Sequence, residues 1–355
     1  MTVSFNDIPS NLRVPLFYAE FDNSRAVQGG AQQEYNVLLI GNKLSAGTKA
    51  ELTPQVITSK EQAQEYFGIG SILADMAEHH LRNNTIHELT CIAIDDDGSA
   101  VKASGSFSFT GTATKAGLVS ATIRGRNIRV AVAVGDTAAE IATAIVAEME
   151  GGEHDDLVVE AEVNGDTDSQ VDLTAKNGGE FGNEIDVRFN YFDGEEFPAG
   201  ITASVTPMAD GAGNPDVDEV WPVIGDKQYI LMVTPYTDSQ NLGKMEAELL
   251  DRFGPLRAND GFAIYGKADS FADLATLGNA RNSQFSTIMG TAGPTSPWNW
   301  ASAVAGRVAR SAAIDPARPF QTLQLVGVLS PSQSELFTLS ERNLLLYDGI
   351  ATFSV

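Results

Sequence analysis

The sequence is poor in the residues that usually carry chemistry, and each shortage removes a class of function. It has one cysteine, Cys91, in the apolar run from Leu89 to Ile94, so neither a disulfide nor a thiolate metal site can be built. Cys91 reads as a small buried hydrophobe. Of the four histidines, His79 and His80 are adjacent on a helical pattern and point in different directions, while His87 and His154 lack a partner at metal-ligand spacing. No metal site is expected. Basic residues are outnumbered, with Lys+Arg 23 against Asp+Glu 47 and a net charge of −24, and no basic patch or interleaved aromatics appear. Binding to nucleic acid is therefore not expected. The N-terminus lacks the order of a signal peptide and no run of about 18 apolar residues occurs, so the simplest reading is function without export and without a membrane.

The catalytic signatures are missing too. Gly68-Ile69-Gly70-Ser71 lacks a third glycine and follows a helix, and no phosphate-cradling Gly-x-x-x-x-Gly-Lys-Ser/Thr run or Gly-x-Ser-x-Gly turn exists. Asn164, Asp166 and Asp168 alternate as in a calcium loop, but the glycine and terminal glutamate of that loop are absent, which leaves a solvated turn. No cofactor is expected and the chain does not read as an enzyme.

At 355 residues, with 43% hydrophobic and 20% charged, the chain folds around more than one core. Residues 1–34 form an extended arm and linker. Pro9 and Pro15 fix extended backbone around Val3, Phe5, Ile8, Leu12, Val14, Leu16, Phe17 and Tyr18, and a polar hinge with Gln28, Gly29 and Gly30 follows. Such an arm either folds back on its own domain or adds a strand to a neighbour's sheet. Composition does not decide between them.

Residues 35–98 start an α/β unit: strand Tyr35 to Gly41, a helix opened by Ser59 and Gln62 at capping-box spacing, and strand Glu88 to Ile94. A second helix after Ser71 carries Ile72, Leu73, Met76, Ala77, His80 and Leu81 on one stripe. After the acidic turn 95–98 the character changes. Residues 99–220 read as an inserted, acidic, β-rich domain, with a hairpin turning near Gly125 and a helix opened by Thr137 and Glu140 that turns Ile141, Ala144, Ile145 and Met149 inward. Further strands are predicted at 157–163, 170–175, 185–191 and 201–206. Between 151 and 220, eighteen acidic residues stand against Lys176 and Arg188, a balance of −16.

The βα alternation returns over 221–355. Strands are predicted at 228–234, 261–265, 285–289 and 322–329, with helices at 240–253, 270–279, 298–311 and after Ser330-Pro331, and a last strand from Leu345. The fold class is therefore α/β (α+β), multidomain: an α/β core with helices covering a mixed sheet, interrupted by the β-rich insertion. The sequence stops within a strand-like pattern at 351–355, which implies a shortened chain.

Several runs together resemble the Mu-type contractile phage tail sheath family. They are Val3 to Pro15, Asn36 to Gly41, Leu173-Thr174-Ala175-Lys176-Asn177-Gly178-Gly179-Glu180-Phe181-Gly182-Asn183, Pro294 to Ala303 and Leu346 to Ala351, in collinear order. The resemblance implies a structural virion protein assembled in the host cytoplasm. It would stack as hexameric rings around a tail tube, meet baseplate and tail terminator proteins, and contract to drive the tube through the host envelope. It also implies that residues 3–21 are donated to a neighbour, with 24–34 as hinge. Family members continue into a further C-terminal arm, so this chain alone is expected to be monomeric. The other readings are a virion-surface carbohydrate-binding module using residues 99–220, and a nucleotide-dependent enzyme built on the α/β part.

Overall fold

The computed structural model describes residues 34–281 and 283–354. The chain divides into two units, residues 1–34 and 35–355, and the second holds every element named below. The arm residues Val3 to Tyr18 and the hinge residues Gln28, Gly29 and Gly30 lie outside the described residues.

The second unit begins with β1 (Val37–Asn42), β2 (Gln55–Ile57), α1 (Lys60–Phe67), α2 (Ile72–Asn83) and β3 (Leu89–Ile94). β1 and β3 are buried along their whole length, as largely apolar runs are when helices cover both faces of a parallel sheet. Ser59 and Ser71 cap the two helices, accepting from the N–H groups of Gln62 and Ala74, both at 3.2 Å. The return bond of the expected box is displaced by one residue, since Gln62 Oε1 accepts from Thr58 N at 2.9 Å. α2 is not a one-stripe helix. It is buried nearly all round, Asp75, Glu78, His79 and His80 included, while Leu81 is only half-buried.

Eight elements follow: β4 (Ser104–Gly111), β5 (Gly117–Ile123), β6 (Arg126–Val132), α3 (Ala138–Met149), β7 (Val159–Val163), β8 (Gln170–Ala175), β9 (Val187–Phe189) and β10 (Ile201–Ala209). They form two antiparallel sheets, β10-β4-β8-β7 and β6-β5-β9. The β5–β6 hairpin turns on Arg124 and Gly125, whose φ angles of 52° and 80° are both left-handed. That is the two-residue turn whose twist matches the flanking strands. α3 opens with the complete Thr137–Glu140 capping box and buries Ile141, Ala142, Ile145 and Met149; Ala144 is half-buried. Phe189 packs against Phe107, Phe109 and Phe197, with ring centroids 4.6, 5.4 and 5.3 Å away.

The chain then gives α4 (Trp221–Ile224), β11 (Leu231–Val233), α5 (Ser239–Phe253), β12 (Phe262–Ala268), α6 (Phe271–Ala280), β13 (Ser286–Thr291), α7 (Pro297–Ile314), α8 (Leu339–Tyr347) and β14 (Ile350–Ala351). With the opening strands they complete a seven-stranded sheet of order β14-β13-β12-β11-β1-β3-β2. Every neighbouring pair is parallel except β2 with β3. The connection from β1 runs toward β3 and those from β11 run toward β13, so the sheet is wound in both directions. Gly266 of β12 shows where α7 lies, because a Cβ there would stand 1.9 Å from the Pro297 carbonyl oxygen. Tyr265, one residue earlier and so on the opposite face, shares a cleft with Leu242 and Glu246 of α5. α2 lies against α7, where a Cβ on Gly306 would come within 3.0 Å of the His80 carbonyl oxygen.

The C-terminal stretch departs from the pattern read in the sequence. Residues 322–329 form no strand: Thr322 and Gly327 adopt φ of 56° and 85°, and the Asn83 side chain holds Val326 from both sides. Asn83 Nδ2 donates to Val326 O at 2.8 Å and Val326 N donates to Asn83 Oδ1 at 2.9 Å. One amide thus replaces a strand partner. The following helix starts at Leu339 and not after Pro331, because Thr338 and Glu341 form a capping box there. It absorbs Leu345 to Tyr347, which were expected in strand, and leaves only Ile350–Ala351 in the sheet. The predicted strand at 185–191 shrinks to β9.

Candidate functional site at the junction of the sheets

In a sheet wound both ways, ligands enter the crevice beyond the carboxyl ends of the strands where the winding reverses. Here that crevice lies beyond β1 and β11, and side chains of the chain fill it. Asn42, at the end of β1, donates to Asp96 Oδ1 at 2.7 Å and accepts from the Tyr236 hydroxyl at 2.7 Å. Asn177 Nδ2 donates to Asp96 Oδ1 at 3.0 Å and to the Lys43 carbonyl at 2.9 Å, and its Oδ1 accepts from Ile72 N at 3.3 Å. Gly178 N donates to Asp96 Oδ2 at 2.7 Å. Asn42, Asn177 and Tyr236 are all buried. Burial, with the charges of Asp96 and Asp238 nearby, holds the Tyr236 hydroxyl well above the usual phenol range. Phe181 closes the cluster, its ring 6.0 Å from Tyr236 and 6.2 Å from Trp298.

A second polar set lies on the α2 side of the sheet. The tip of the β5–β6 hairpin inserts Arg124, buried, so that its guanidinium pairs with Asp75 of α2. The other Asp75 oxygen accepts from Trp298 Nε1 at 3.1 Å and Asn299 Nδ2 at 2.8 Å, both from the first turn of α7. Burial pulls Arg124 down to about 10, against the opposing charge of Asp156. Around this pair Lys60 bridges Glu78 at 2.9 Å and Asp156 at 2.8 Å, while Arg82 pairs with Glu78 and Arg126 with Asp156. Burial would raise both carboxyls, but Lys60 and the neighbouring arginines outweigh it and hold them below the usual range. Further along the junction Glu184 accepts from Lys267 Nζ at 2.5 Å; burial pushes the Glu184 carboxyl up despite that cation.

These contacts tie β4 to β10 and their loops onto the parallel sheet through paired charges and amide hydrogen bonds. The arrangement restrains the chain; its carboxylates are engaged by cations and amide donors. No group of three or more His, Cys, Asp or Glu among the described residues could hold a metal ion, and none of their helices is long and apolar enough to cross a membrane. Asn164, Asp166 and Asp168 sit in a turn where Asn164 Oδ1 accepts from the N–H groups of Asp166 and Thr167 at 3.0 and 2.9 Å.

Residues 210–355, from the end of β10 to the C-terminus, match the family model for the phage tail sheath protein central domain. The whole chain aligns with the Mu-like prophage FluMu tail sheath protein of Haemophilus influenzae at 40% identity over 356 residues, covering 72% of that protein. The chain belongs to the phage tail sheath family. Two solved sheath tail proteins are more distant. That of Desulfitobacterium hafniense shares 12% identity at a TM-score of 0.33, over 82% of this chain and 62% of its own. That of Listeria innocua shares 12% at 0.31, over 78% and 56%.

Two of the family runs read in the sequence meet at this junction. Residues 173–183 supply Asn177, Gly178 and Phe181, and residues 294–303 supply Trp298 and Asn299. Sequence reasoning treated Asp96 as part of an acidic boundary turn and passed over Asp75 and Arg124. Asp75 did carry a signal, a carboxylate flanked by Leu73, Ala74, Met76 and Ala77 that burial obliges to find a partner.

Proposed function

We propose that the chain is the structural subunit of a contractile tail sheath, a motor element without catalytic chemistry. Subunits stack as hexameric rings around the tail tube, between baseplate and terminator proteins, and shorten to push the tube through the host envelope. Assembly takes place in the host cytoplasm and the product is part of the virion. The observation that carries this reading is the 40% identity to a tail sheath protein along the entire chain. Residues 35–98 and 221–355 serve as the core domain and 99–220 as an insertion, and the buried junction favours rotation of the two as one body. The connection between bodies is then the arm. Val3, Phe5, Ile8, Leu12, Val14, Leu16, Phe17 and Tyr18 add a strand to a neighbour's sheet, and Gln28, Gly29 and Gly30 let the strand stay paired while the bodies turn. Deleting residues 1–25 from a sheath-forming version should abolish ordered sheaths in electron micrographs; sheaths of normal appearance would refute the donated arm.

A further inference from the structure

Two exposed apolar patches flank the end of the parallel sheet where its strands begin. On the α5 face, Leu250, Phe253 and Leu256 are 58%, 55% and 99% exposed, and Phe253 is fixed by Phe285, which precedes β13, at 5.3 Å between ring centroids. On the α7 face, Ile86 and Ile314 are 68% and 73% exposed. Both lie where the C-terminal end of α2 meets α7: a Cβ on Gly306, about two turns before Ile314, would stand 3.2 Å from the Asn83 Cβ, three residues before Ile86.

The rims of the two patches carry opposite charge. Around the first, Asp226, Glu248, Asp251 and Asp260 stand against Arg252 and Arg257, and both arginines are already engaged, Arg257 with Asp226, Glu248 and Asp251 at 3.1, 2.9 and 2.9 Å. Around the second, Arg307, Arg310 and Arg318 stand against Asp315, and no ion pair among the described residues uses these three arginines. The Nε of Arg307 is buried with no hydrogen-bond partner. In a chain of net charge −24, this cationic apolar surface is where a second copy can approach without repulsion.

We infer that the α5 patch of one copy docks on the α7 patch of another. The inference rests on the sheath reading only in that copies of the chain pack together. The sequence alone predicts a monomer; the patches predict self-association. Paired apolar side chains supply the attraction and the rims fix which patch meets which.

Sedimentation velocity over a concentration series tests it, with the wild-type chain, Leu256→Asp and Ile314→Asp. Both substitutions are at exposed sites, and circular dichroism checks that each variant is folded. Wild type should show mass increasing with concentration, and each variant should stay at monomer mass. An equimolar mixture of the two variants should regain a dimer, since each retains the patch the other lacks. A wild type monomeric throughout, variants that associate like wild type, or a mixture that regains nothing would each overturn the docking. None of these results bears on the arm deletion, which tests the sheath reading separately.

Discussion

Replacing Arg124 by methionine isolates what the hairpin tip contributes to holding the sheets together. The φ of 52° at this position burdens methionine and arginine alike, so backbone strain cancels in the comparison. What changes is the buried charge. Asp75 keeps its bonds from Trp298 and Asn299 at 3.1 and 2.8 Å but loses its cation. Removing one partner of a buried pair costs about 3–5 kcal/mol, and the two remaining donors place this case near the lower end, about 3 kcal/mol. At about 2.1 cal/mol/K of unfolding entropy per residue, that is a fall in Tm of about 4 °C for a chain of 355 residues. Urea unfolding followed by tryptophan fluorescence is a direct readout, because the Trp298 indole touches the same carboxylate. The double variant Asp75→Asn/Arg124→Met should cost at least about 1 kcal/mol less than the sum of the singles, since both charges leave together. Arg126→Met is the control: its side chain is 36% exposed and its loss should cost less than about 1 kcal/mol. An Arg124→Met protein as stable as wild type, or a strictly additive double variant, would refute the argument.

Two further outcomes follow from the same packing. His79 and His80 are buried on α2 and burial lowers each from the ordinary 6.5 to about 4. The unfolded chain therefore takes up protons first, so stability is complete above about pH 6.5 and is lost as the pH falls toward about 4, by about 3 kcal/mol per histidine. Glu78, Arg82 and Arg126 face His79, and His87 faces His80. Denaturation midpoints measured across this window should slope less in His80→Leu than in wild type; equal slopes would show that His80 does not titrate as described. Gly266→Ala drives a methyl group to 1.9 Å from the Pro297 carbonyl oxygen. The first turn of α7 must move, at a cost of about 1–3 kcal/mol, and an unchanged thermal midpoint would contradict the close approach.

Much of the fold was legible because local rules decide it. The apolar runs of β1 and β3, the box at Thr137 and Glu140 and the turn at Gly125 each state their element within a few residues. The C-terminal errors come from segments where local pattern and tertiary context disagree. Residues 322–329 have the apolar character of a strand, yet distant side chains hold their backbone: the Asn83 amide, 243 positions from Val326, and the Thr295 hydroxyl, which accepts from Leu329 N. At Leu345 to Tyr347 the apolar run suits strand or helix equally, and the box at Thr338 and Glu341, eight residues upstream of Leu346, decides for helix.

The junction was hidden for a different reason. Its bonds join residues 49 positions apart for Asp75 with Arg124, 81 for Asp96 with Asn177 and 223 for Asp75 with Trp298. Periodicity has no means of pairing residues so far apart. It registers polarity only as an exclusion, so Asp95 to Asp97 read as an acidic turn at a boundary, with no sign that Asp96 accepts three hydrogen bonds from Asn42, Asn177 and Gly178. Among the described residues the distinctive polar chemistry lies in such long-range pairings. The trace this leaves in a sequence is a polar residue out of step with its apolar surroundings, such as Asp75 in α2 or Asn177 between Ala175 and Phe181. Burial without a partner would cost each of these groups roughly 1–3 kcal/mol, so each one forecasts a partner somewhere else in the chain.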